Sequence, residues 1–80
     1  MRTTEAIRCR IFQLCYERNI SENKMCAICG ITQSTIGNMT NGRNKSMTLV
    51  TVKRICDGLG MELPDFFDSD LFRNLEQEIY

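Results

Sequence analysis

The apolar residues of this chain recur at helical spacing nearly throughout. Ile7, Ile11, Leu14 and Cys15 fall on one stripe and predict a first helix from about Thr4 to Arg18. Asn19, which tolerates a left-handed conformation, is the expected stop. Ser21 is a good N-cap for a short second helix that carries Met25, Cys26 and Cys29 inward, with Gly30 supplying a positive φ at its end. Thr32 then caps a third helix from Gln33 to about Met39, anchored by Ile36 and Met39. The run Asn41-Gly42-Arg43-Asn44-Lys45-Ser46 forms turns and holds no element.

Thr48 caps a fourth helix with Leu49, Val52, Ile55, Cys56 and Leu59 at helical spacing, stopped at Gly58 to Gly60. Pro64 suits the first turn of a fifth helix containing Phe66 and Phe67. Beyond it, Asp68 and Ser69 are candidate caps for a last segment with Leu71, Phe72, Leu75 and Ile79 on one face. No stretch alternates apolar and polar residues as a strand would. The β-branched run from Met47 to Val52 continues to Leu59 with a helical period. The expected fold class is therefore all-α, a compact bundle of five short helices with room for one more at the C-terminus. Residues 1–67 form the expected domain, and 68–80 an acidic amphipathic extension.

Length and charge sharpen this picture. Eighty residues make one domain with one shared core. There is no apolar run long enough for a membrane span, and the polar start Met1-Arg2-Thr3-Thr4-Glu5 does not open like a signal peptide, so the expected location is cytoplasmic. Net charge is zero, but it is unevenly spread. Met1 to Arg54 holds nine Lys or Arg against three Glu, or +6, and Ile55 to Tyr80 holds one Arg against seven acids, or −6. A basic working face and an acidic far end fit that asymmetry, although two solvated faces with no partner would show it as well.

Five cysteines without a histidine or a secretory signal are expected to stay reduced. The pair Cys26 and Cys29 has the spacing of metal ligands, yet a structural zinc site needs four, and free cysteine packs as a small hydrophobe. No metal and no cofactor are expected. With no histidine, no nucleophile–base pair and no glycine-rich phosphate loop, no enzyme is expected either.

Two short helices joined at Gly30 are the pattern of a helix-turn-helix. The third helix would then present Gln33, Ser34, Thr35, Gly37 and Asn38 outward, a row of short uncharged donors and acceptors suited to base edges in a major groove. A solvated polar helix face would look the same in isolation. The flanking residues decide between them. From Ile7 to Phe67 the order resembles the Cro/repressor-type (XRE) helix-turn-helix family, whose fold is lambda-repressor-like. The resemblance is carried by Ile20-Ser21, by Gly30-Ile31-Thr32-Gln33-Ser34-Thr35-Ile36, and by Asn41-Gly42. It continues through Thr51-Val52-Lys53-Arg54-Ile55-Cys56-Asp57-Gly58-Leu59-Gly60, then Leu63 and Phe66-Phe67.

That resemblance implies a sequence-specific regulator of double-stranded DNA, a repressor that occupies an operator. It assigns Gln33, Ser34 and Asn38 to base edges, and Thr32, Thr35, Asn41, Arg43 and Lys45 to phosphates. Lys53 and Arg54 add charge nearby. Three places depart from the family pattern. Glu22 stands where many members carry a glutamine that touches phosphate. Cys15 and Thr40 replace a common Arg–Glu pair, which predicts a neutral contact between them. Gly37 takes the place of a larger residue on the recognition helix.

The stripe in the extension needs a partner surface: the body of the domain, a second copy, or another protein. A homodimer would reach two half-sites about 34 Å apart. The competing function is an antitoxin-like protein-interaction module of the same fold, favoured by the zero net charge, Glu22 and the segment from Asp68 to Tyr80.

Overall fold

The computed structural model describes residues 1–32 and 48–79. Among them every regular element is helical: α1 (Thr3–Glu17), α2 (Glu22–Cys29), α3 (Leu49–Leu59), α4 (Leu63–Phe67) and a single 3₁₀ turn at Asp70–Phe72. The expected third helix, from Gln33 to Met39, lies outside the described residues, as do Thr40 and the turn from Asn41 to Ser46.

The helix stripes close on one core. Ile7, Ile11, Leu14 and Cys15 of α1, Met25, Cys26 and Cys29 of α2, Val52, Ile55 and Cys56 of α3, and Phe66 of α4 are all buried. The buried face of α3 is built by Val52, Ile55 and Cys56, whereas Leu49, which shares their spacing, is 61% exposed at the first helical residue.

Three helix ends use one device. Asn19 at φ 55°, Gly30 at φ 68° and Gly60 at φ 70° each turn the chain left-handed. The N–H of the following residue then returns to a carbonyl five residues back. Ile20 donates to Cys15 O at 3.0 Å, Ile31 to Cys26 O at 3.1 Å, and Met61 to Cys56 O at 2.9 Å. Ile20, Ile31 and Met61 each pack on the core, so one stop signal satisfies orphan carbonyls and adds an apolar contact.

The segment after α4 differs from its expected form. Leu71, Phe72, Leu75 and Ile79 have helical spacing, but only one 3₁₀ turn forms. Ser69 Oγ accepts from Leu71 N at 3.2 Å and starts that turn, and Asn74 at φ 58° ends any further winding. The chain then runs back along α1, with Glu76 N donating to Met1 O at 3.0 Å. Phe72 joins Phe66 and Phe67 in an aromatic group, its ring centroid 6.0 Å and 4.9 Å from theirs. Leu71, Phe72 and Leu75 are half-buried by this, and Ile79 is 81% exposed.

Arg10 makes the connection firm. It is 9% exposed, and sequence reading did not single it out. Its Nε donates to Phe66 O at 2.7 Å, one Nη to Asp65 O at 2.9 Å, and the other to Gln13 Oε1 at 2.6 Å. The guanidinium thereby caps the C-terminal carbonyls of α4, where a cation is also favoured by the helix dipole. The clue in the sequence is its register, since position 10 lies three after Ile7 and four before Leu14, inside the apolar stripe.

Candidate nucleic-acid interface

α2 is the first helix of the expected helix-turn-helix, and both its ends are fixed. At its start, Ser21 is extended at φ −82° and ψ 166°, and its Oγ accepts from Lys24 N at 3.1 Å. At its finish, Gly30 turns left-handed and leads through half-buried Ile31 to exposed Thr32. The direction in which the chain leaves α2 is therefore set by Gly30 and by the anchoring of Ile31.

The second constraint is the packing of α2 on α3, the most extensive helix contact among the described residues. A Cβ built on Gly58 would lie 2.5 Å from Cys29 Sγ and 2.8 Å from Cys29 Cα. No real side chain fits there, so only glycine permits this approach. Cys29 Sγ also reaches Ile55 O at 3.5 Å. The last residue of α2 is thus pressed against α3 one residue before the turn at Gly30. At the start of α3, Thr48 caps the helix by accepting from Thr51 N at 3.2 Å.

Of the expected contact residues, the structure describes Thr32 alone, exposed just past the turn. Gln33, Ser34 and Asn38, assigned to bases, and Thr35, Asn41, Arg43 and Lys45, assigned to phosphates, lie outside the described residues. So does Thr40, with its expected contact to Cys15. Cys15 itself is buried, and its thiol is pushed above the ordinary 9.0, first by burial and then by the Glu22 carboxylate.

Cys26, Cys29 and Cys56 are shifted the same way, in each case chiefly by burial. All five cysteines are free thiols, with Cys9 half-buried. Cys26 and Cys29 both face the core, and no group of three or more potential metal ligands occurs among the described residues. No described helix is long and apolar enough to cross a membrane.

The nearby cations are not equivalent. Lys53 is paired with Asp57 one turn on, and Arg10 is committed to the core. Arg18 reaches Leu59 O at 3.4 Å, tying the end of α1 to the end of α3.

A capped short helix, a left-handed turn and a clamping third element fit the first half of a helix-turn-helix, whose second helix would lie outside the described residues. The model of the Cro/C1-type helix-turn-helix DNA-binding domain matches residues 10–70, and the chain belongs to that family. Among solved structures it is similar to the one titled "Crystal structure of the prophage Lp1 protein 11". The two share 33% sequence identity with a TM-score of 0.77, over 86% of this chain and 92% of that one. No curated protein matches the chain.

Proposed function

We propose that this protein is a transcriptional regulator that binds a specific duplex DNA sequence and represses by occupying it. The observation that carries the reading is the family match across residues 10–70, joined to an α2 whose cap, terminal turn and packing on α3 are all fixed. In this reading Gln33, Ser34 and Asn38 meet base edges in the major groove, and Thr32, Thr35, Asn41, Arg43 and Lys45 hold the phosphates. Residues 1–67 do the binding, and the acidic extension, through residues 68–79, buttresses α1 and α4. The protein works without catalysis, in the cytoplasm.

The antitoxin-like reading drew on the zero net charge, on Glu22 and on the segment from Asp68 to Tyr80 as a surface for a partner. Leu71, Phe72 and Leu75 are half-buried against the protein's own body, which leaves that reading less to stand on.

Selection from random duplex DNA at two salt concentrations tests the proposal. The expected result is one enriched site whose affinity falls steeply as salt rises. Gln33→Ala should relax preference at one base pair, weakening the selected site by about 1–3 kcal/mol relative to its single-base variants. Recovery of no preferred sequence would remove the regulator reading.

A further inference from the structure

We infer that Cys26 and Cys29 are a redox site, oxidised by a low-molecular-weight disulfide to a protein disulfide that undoes the end of α2. They stand three residues apart on one helix, and both side chains face the core, 3% and 8% exposed. At that spacing the Cβ atoms of an α-helix lie about 5–6 Å apart. A disulfide needs them at about 3.5–4.5 Å. Closing the bond must therefore distort the last turn of α2.

That turn carries both constraints on how α2 ends. The Cys26 carbonyl accepts from Gly30 N and, at 3.1 Å, from Ile31 N, so moving Cys26 loosens the left-handed turn directly. Cys29 Sγ donates to Ile55 O at 3.5 Å and lies against Gly58. A sulfur drawn toward Cys26 leaves that seat. One S–S bond thus disturbs the turn and the packing on α3 together. Cys15 and Cys56 are buried as well, but they sit on other helices, whereas Cys26 and Cys29 are held near each other by a single turn.

Cys29 is the point of entry, because it lines a shallow groove with Ile28, Gly30, Arg54, Asp57 and Gly58. Its thiolate attacks one sulfur of the small disulfide, whose S–S bond breaks, and one small thiol leaves with the proton. Cys26 then attacks Cys29 Sγ and expels the second small thiol. The protein gives up two electrons and two protons, and the oxidant becomes two thiols. Burial keeps both cysteines protonated, so the folded protein reacts slowly and answers to sustained oxidising conditions. Strain in the closed bond makes it easily reduced again. The use of this chemistry, release of duplex DNA, rests on the regulator reading.

Oxidised glutathione, added in excess to the reduced wild type without DNA, tests the site. Trypsin leaves Cys26 and Cys29 in one peptide, 25–43, and Cys15 and Cys56 in two others. Mass spectrometry after alkylation should find peptide 25–43 closed on itself, lighter by two hydrogens and carrying no alkyl group. Hydrogen exchange should show the Gly30 and Ile31 amides opening ~10-fold or more faster in the oxidised protein, with dithiothreitol restoring the slow rate. Cys26→Ser should stop at one glutathione on Cys29. Peptide 25–43 joined to the peptide of Cys15 or Cys56, both its thiols left free, or equal protection of Gly30 and Ile31 in the two forms would each overturn the proposal. Affinity of the reduced protein for its selected duplex reports on the regulator reading separately, and under that reading oxidation should weaken it by ~10-fold or more.

Discussion

Cys29 and Gly58 meet where α2 crosses α3, and the contact leaves no room for even a methyl group. Gly58→Ala must therefore part the helices. Overpacking of this kind typically destabilises by about 1–3 kcal/mol, which here should outweigh the modest gain from better helix propensity. Urea unfolding should show the loss. DNA affinity should fall further than stability does, because α2 carries the turn at Gly30. A variant as stable as wild type would mean that α2 and α3 sit farther apart than described. Arg10 makes a comparable point through hydrogen bonding. Arg10→Met keeps the bulk but strips the donors from Phe66 O and Asp65 O, at a cost of about 1–3 kcal/mol. Residues 68–79 should then become a preferred target for limited proteolysis, and resistance equal to wild type would refute this role.

At the scale of elements, α2 has only eight residues, too few to hold its shape without its ends and its packing. Ser21→Ala removes the side-chain acceptor for Lys24 N and should cost about 1 kcal/mol, read from the thermal midpoint. An unchanged midpoint would show the cap to be idle. Helix ends were the most legible part of this chain. Asn19, Ser21, Gly30, Thr48 and Gly60 act through local backbone geometry, and such signals survive in sequence. The segment from Leu71 to Ile79 was misleading for the opposite reason. Its apolar spacing suits a helix, but Asn74 turns left-handed and Phe72 is claimed by Phe66 and Phe67, contacts that spacing does not encode. Leu49 shared the helical period of its neighbours yet stands at the exposed start of α3. Of the candidate site, the frame was legible through Ser21 and Gly30. The glycine clamp was not, because Gly58 reads as a helix stop until Cys29 is placed against it.

At the scale of the whole molecule, four buried thiols come from three helices: Cys15, Cys26, Cys29 and Cys56. Burial holds each above the ordinary 9.0. In the unfolded chain these thiols ionise near that ordinary value, so above it the unfolded state binds fewer protons than the folded one. The stabilisation is complete below about pH 9 and is lost as pH climbs toward the folded values. Unfolding midpoints measured under reducing conditions should therefore fall between pH ~8 and pH ~10, and a flat profile would show that the thiols ionise as easily inside as outside.

The Gly58 contact also bears on how this chain can change over generations. The nearest obstacle to a Cβ there is the cysteine sulfur, but the next is Cys29 Cα, part of the backbone that every residue shares. Trimming position 29 would relieve the first clash and leave the second, so no replacement of that cysteine rescues a larger residue at 58. Descendants that keep this helix crossing can let position 29 drift among small side chains, while position 58 admits one amino acid only.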